Sequence, residues 1–136
     1  MMNGILCATD FSISSREAIK WSIRLAEKLK THLTILYTYR LLKQNGEALD
    51  FKRKMESDAI KNFGLLKAEL LSGTTVSFDF KIEVGFIDDR IEEHSRNNKI
   101  SFLVMGKSMT VRNKEIFDEL IDHLHTPLVI VPETIE

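Results

Sequence analysis

Gly4-Ile5-Leu6-Cys7-Ala8-Thr9 is an uncharged, largely apolar run, followed by Asp10-Phe11-Ser12-Ile13. Strand side chains alternate between faces, so a run without polar alternation reads as a strand buried on both sides. Such strands belong in the middle of a parallel sheet. Asp10 to Ile13 reads as the loop at its carboxyl end. Ser14-Ser15-Arg16-Glu17 has the pattern of a capping box, with the Ser14 hydroxyl accepting from the Glu17 amide and the Glu17 carboxylate reaching back. Ala18, Ser22, Leu25, Ala26 and Leu29 recur at helical spacing, which predicts an amphipathic helix over 14–30.

Strand and helix patterns alternate through the rest of the chain. Leu33 to Thr38 is a second strand, rich in β-branched and aromatic residues. Residues 39–47 form a polar connection. Leu49, Met55, Ala59, Phe63, Leu66 and Leu70 then trace a long helix, stopped by Ser72-Gly73, with Gly64 inside it costing roughly 1 kcal/mol relative to Ala. Val76, Phe78, Phe80, Ile82 and Val84 alternate with polar residues, as in a strand at a sheet edge or with one solvated face. Gly85 turns the chain into a short helix carrying Ile87, Ile91 and His94 and closed by Asn97-Asn98. Ile100 to Met105 is another fully apolar strand, closed by Gly106. Lys107 to Arg112 reads as a loop. Ile116, Phe117, Leu120, Ile121 and Leu124 mark a last helix, and Leu128 to Val131 a last strand between Pro127 and Pro132.

This alternation predicts a doubly wound α/β fold, a five-stranded parallel sheet with helices on both faces and right-handed crossovers. Ligands of such folds sit at the carboxyl ends of the strands, at the switch point. Here that place is Thr9-Asp10, Tyr37-Thr38 and Gly106-Lys107-Ser108.

At 136 residues, 1–136 fits a single domain, with 43% hydrophobic and 29% charged residues typical of a packed globular chain. A net charge of −1 gives no reason to expect nucleic acid or anionic lipid as a partner. Cys7 is the one cysteine, so no intrachain disulfide forms, which suits a reducing compartment. Met1-Met2-Asn3-Gly4 has no basic segment and Ile5 to Ala8 is too short for a signal peptide. No apolar run approaches the length of a membrane span. The expected location is cytoplasmic.

The opening Ile5-Leu6-Cys7-Ala8-Thr9-Asp10-Phe11-Ser12 is similar to the first strand of the universal stress proteins, I-L-V-P-T-D-F-S, and Ser15 to Leu29 to their first helix. Gly85 to Ile91 followed by Ile100 to Gly106 resembles the pairing G-x-x-x-x-x-I…D-L-I-V-M-G, and Thr126 to Pro132 the ending C-P-V-L-V-V-P. Four such pieces in order resemble the family over nearly the whole chain. The resemblance implies the strand order 3-2-1-4-5 and a homodimer paired through the last strand, Leu128, Val129, Ile130 and Val131. A short apolar edge strand invites such pairing, although the flanking prolines also blunt an edge. The resemblance also implies a stress-response role through unknown protein partners.

Some members of that family bind ATP on a loop G-x-x-G-x(9)-G-[ST] after the fourth strand, where backbone amides approach the phosphates. This chain keeps Gly106, but Met109 stands in place of the second glycine and Glu119 in place of the third. No glycine occurs from Lys107 onward. Ala8 replaces the usual proline of strand one. No cofactor and no tight ATP binding are therefore expected. An ATP or Mg-ATP site, with or without slow hydrolysis, is the alternative. Its ligand-binding residues, carried over from the family, are Thr9, Asp10, Thr38, Met105, Gly106, Lys107 and Ser108. Asp10 admits two readings: an acceptor for an adenine amino or hydroxyl group, or a turn residue accepting backbone amides. Lys107, Arg112 and Lys114 either neutralise phosphates or form a solvated loop.

No other constellation reads as catalytic or metal-binding. His123 and His125 do not share a helix face, and Glu119 with His123 is too small a set for zinc. Asp10, Ser12 and Ser14 have no histidine partner in any known triad pattern. Cys7 reads as a buried inert thiol, His94 as a packing residue, and Trp21 as core. A response-regulator receiver is the nearest rival fold, but it needs an Asp after strand three and a Lys at the end of strand five, where this chain has Gly85 and Val131-Pro132.

Overall fold

The computed structural model describes residues 4–41, 46–97 and 99–133. Five strands, β1 (Gly4–Thr9), β2 (Leu33–Tyr39), β3 (Phe78–Val84), β4 (Ile100–Gly106) and β5 (Leu128–Val131), form one sheet. Its order is β3-β2-β1-β4-β5 and all its pairings are parallel. The helices are α1 (Ile13–Leu29), α2 (Gly46–Leu66), α3 (Ile87–Asn97), α4 (Lys107–Arg112) and α5 (Lys114–His123). A π-helical turn, Lys67–Leu71, continues α2.

The sheet separates two apolar cores. Ile5 and Cys7 of β1 face α1 and the end of α2, with Leu33, Ile35, Val104, Ala18, Ile19 and Leu66. Leu6 and Ala8 face the other way, toward Ile91 of α3, Met109 of α4 and Phe117 and Leu120 of α5. Both sets lie on one six-residue strand, which is why β1 carries no polar alternation. The expected doubly wound sheet and its strand order are both present.

β3, at one edge, shows the alternation read from sequence. Phe78 and Phe80 pack under α2, the Phe80 ring stacking on Phe63 at 4.2 Å. Asp79, Lys81 and Glu83 lie on the opposite face. The strand begins at Phe78, so Val76 lies before it, and Val84 at its far end is exposed. His94 of α3 is largely buried and its Nε2 reaches Glu83 Oε2 at 2.9 Å.

Several local expectations are corrected. Ser12, not Ser14, caps α1, its hydroxyl accepting from the Ser15 amide. Ser14 is fully buried, because it joins α1 to α4. Lys107–Arg112 is a helix, since β4 runs into it without a turn residue other than Gly106. Trp21 is half exposed and faces Arg24, whose guanidinium lies 5.6 Å from its ring. Leu29 is also half exposed; Ile19 and Ile23 fill the core stripe instead. The last helix ends at His123, with Leu124 as its cap. Met1–Asn3, residues 42–45 of the polar connection and Asn98 lie outside the described residues.

Candidate functional site

The carboxyl end of β1 is shaped by its own side chains. Thr9 Oγ1 accepts the Phe11 amide at 3.0 Å, and Asp10 Oδ1 accepts the Ser12 amide at 2.9 Å. The second contact is an Asx turn. Ser15 Oγ donates to Asp10 Oδ1 at 2.6 Å and accepts the Asp10 amide at 3.2 Å. Between these contacts Phe11 takes a left-handed φ of 62°, a strained state for a residue with a Cβ. Its ring turns back onto Tyr37 and Phe80, at 5.2 and 6.0 Å between centroids, and that packing holds the strained turn. The remaining Asp10 oxygen, Oδ2, pairs with Arg112 at the end of α4.

β4 ends against the first turn of α1. A Cβ placed on Gly106 would stand 2.6 Å from Ser14 C and Ser15 N, closer than real atoms approach. Gly106 is required there because two backbones touch. Ser108, two residues on, donates its amide to Ser14 Oγ at 3.1 Å. Its hydroxyl bonds that of Ser14 and lies 3.1 Å from that of Ser12. The joint between α1 and α4 is thus a closed set of hydroxyls.

Beside this joint lies a cleft of about 290 Å³, lined by Thr9 and Asp10, by Thr38 and Tyr39 at the end of β2 and Arg40 after it, by Gly85 and Phe86 after β3, and by Met109 and Asn113. The sequence-derived ligand residues divide. Thr9, Asp10 and Thr38 line the cleft. Met105 is in the core, Gly106 and Ser108 belong to the serine joint, and Lys107 is exposed. Leu128 to Val131 forms the edge strand β5, with Ile130 exposed.

Sequence reasoning did not select Tyr39, Arg40, Phe86, Met109 or Asn113. Arg40 lies over the Phe86 ring, 4.9 Å from its centroid. Gly85 could have pointed to them: its φ of 136° turns the chain after β3, and its amide donates to the Tyr39 carbonyl at 2.9 Å. Tyr39 donates its hydroxyl to Glu56 at 2.7 Å; burial and that carboxylate push its phenol well above the usual range. Burial pushes the Cys7 thiol up to about 12, which leaves it protonated and unreactive. No group of three potential metal ligands occurs among the described residues.

The cleft lies at the switch point of the sheet, and the strand order around it is that of a known family. The model of the universal stress protein family matches residues 1–132. The chain belongs to the universal stress protein family. Its fold is similar to that of the universal stress protein UspA from Lactobacillus plantarum, with 16% identity, a TM-score of 0.74, and 95% of this chain and 97% of that one covered. A universal stress protein in complex with cAMP is similar at 17% identity and a TM-score of 0.69, with 98% of each chain covered. An Arabidopsis thaliana member with AMP bound is similar at 16% identity and a TM-score of 0.64, covering 97% of this chain and 92% of that one. No curated protein matches the chain. No helix among the described residues is long and apolar enough to cross a membrane.

Proposed function

We propose that this universal stress protein domain acts in a stress response through protein contacts and binds ATP weakly or not at all. The observation that carries this reading is the closed joint between α1 and α4. The Ser108 amide and hydroxyl are taken by Ser14 and Ser12, and both Asp10 oxygens have protein partners. A phosphate placed there must break these contacts, with no glycine-rich turn to supply replacement amides. The expected partner surface includes the exposed edge of β5, where Leu128 to Val131 pairs with a second copy. Size measurement by light scattering tests this pairing; a dimer abolished by Ile130→Lys supports it, and a monomeric wild type overturns it.

The test of weak binding is a thermal melt with and without millimolar Mg-ATP. A ligand at 100 times its Kd adds roughly 2.7 kcal/mol, a rise of several degrees for a chain of this size. No rise is expected. A clear rise overturns the reading.

A second reading is favoured by the cleft itself, which offers Thr9, Asp10, Thr38 and the Arg40–Phe86 pair beside β1 and β2. Similar folds hold cAMP and AMP. In this reading the chain binds an adenine nucleotide, and Asp10→Ala weakens AMP binding about tenfold or more, a loss of ~1.4 kcal/mol. Equal binding by wild type and variant excludes it.

A further inference from the structure

The opposite, amino-terminal end of the sheet holds a serine, a histidine and a carboxylate in line. Ser77 Oγ lies 2.8 Å from His32 Nδ1, and His32 Nε2 lies 2.7 Å from Asp79 Oδ1. The register of β2 on β3 makes this meeting. Thr34 pairs with Asp79, and His32, two residues before Thr34, shares its face. Each backbone is tied to a neighbouring strand: the His32 carbonyl accepts the Ile5 amide and the Ser77 carbonyl accepts the Leu33 amide, both at 2.9 Å.

Asp79 determines the histidine tautomer. Its Oδ1 also accepts the Thr34 hydroxyl at 2.8 Å and, as a carboxylate, can only accept. His32 must therefore carry its proton on Nε2, which leaves Nδ1 of the neutral ring as an acceptor facing the Ser77 hydroxyl. This is the division of roles in a nucleophile, base and orienting carboxylate.

Ser77 and His32 also stand between two cavities. Ser77 lines one of about 260 Å³ with Glu27, Lys30, Thr31 and Thr75. Thr31 is 8% exposed, and its hydroxyl is buried without a hydrogen-bond partner. His32 and Asp79 line the other, of about 340 Å³, with Lys81, His94 and Lys99. The first has room for a short acyl chain. The second holds two lysines, Lys99 and Lys81, the latter 3.8 Å from Asp79 Oδ2, and these can face the negative charge that builds on a leaving oxygen.

We propose that Ser77, His32 and Asp79 form a second site that hydrolyses short-chain acyl esters. Ser77 Oγ attacks the acyl carbon as its proton passes to His32 Nδ1. The acyl carbon–oxygen bond breaks, and the leaving oxygen takes that proton from His32 Nδ1 as the alcohol, or departs as the anion while His32 gives the proton to solvent; either way the imidazole is neutral again. Water then attacks the acyl-serine through His32 as base. The Ser77 oxygen recovers a proton, and the carboxylic acid is released. Asp79 acts as a positioning residue. The site is open to solvent, His32 and Asp79 being 39% and 40% exposed, so slow turnover is expected.

The experiment treats the full chain with a fluorophosphonate probe and maps the adduct by mass spectrometry, with p-nitrophenyl acetate hydrolysis followed in parallel. The expected result is an adduct on Ser77, absent in Ser77→Ala, with labelling and hydrolysis at least tenfold slower in His32→Ala. Asp79→Asn, which removes the reason for Nε2 protonation, gives a similar loss and a shifted pH profile, and serves if His32→Ala folds poorly. No Ser77 adduct, or a rate indifferent to both His32→Ala and Asp79→Asn, overturns the proposal.

Discussion

The two ends of the sheet each carry serines around an aspartate, yet they are wired for different purposes. At the carboxyl end, Asp10 accepts an amide, a hydroxyl and a guanidinium, and Ser12, Ser14 and Ser108 close on one another. Every partner there gives a proton to an acceptor, and none is a base. At the amino end, Asp79 holds a histidine whose other nitrogen faces a serine. One imidazole converts a structural knot into a proton-accepting relay. Burial follows the same division: Ser14 is fully buried, whereas Ser77 is exposed.

The largest effect is expected at the closed end. Gly106→Ala forces a Cβ into the Ser14 and Ser15 backbone and should cost about 2–3 kcal/mol, read as a fall in Tm of several degrees. A neutral Gly106→Ala would mean that the joint yields easily, and would weaken the case against phosphate binding there. Ser14→Ala comes next. It leaves the Ser108 amide without its acceptor and should cost about 1–2 kcal/mol in urea unfolding. The same change at the open end, Ser77→Ala, should stay within ~0.5 kcal/mol. Equal costs for the two serines would erase the contrast between the ends. Arg112→Ala removes an exposed ion pair and should cost at most about 1 kcal/mol.

The smallest effect is one of pH. Burial alone would raise the Asp79 carboxyl, but hydrogen bonds from His32 and Thr34 and the charges of His32 and Lys81 outweigh it and hold it below the ordinary 3.8. A carboxyl lowered on folding stabilises the protein above its unfolded value, and that gain is lost as pH falls through the folded one. Thermal melts below about pH 4 should therefore show a slightly shallower acid decline in Asp79→Asn than in wild type. Solvent screening at this exposed group keeps the difference small. Identical acid limbs would mean that Asp79 gains nothing from its partners.

Much of the fold was legible because it rests on local patterns. The apolar runs of β1 and β4, the alternation of β3 and the periodicity of α1, α2 and α5 come from short-range chemistry that any reader of the chain can follow. Asp10 as an Asx turn was legible too, since its acceptor role reaches only to Ser12 and Ser15. Helix α4 was not, because Lys107–Arg112 is too short to show a period, and packing of Met109 and Thr110 decides it. Trp21 misled for a related reason: helical spacing says which residues share a face, not which face meets the sheet.

The sequence by itself determined the alternation of elements, the buried central strands and the loss of glycines after Gly106. Those follow from where apolar side chains and permissive backbones fall along one chain. Only the tertiary structure decided that Ser14 meets Ser108 across 94 positions, and that His32 meets Ser77 and Asp79 across 45 and 47. Such meetings depend on strand register and helix docking, which are fixed by the burial of the whole sheet. No local pattern encodes which polar groups that burial brings together.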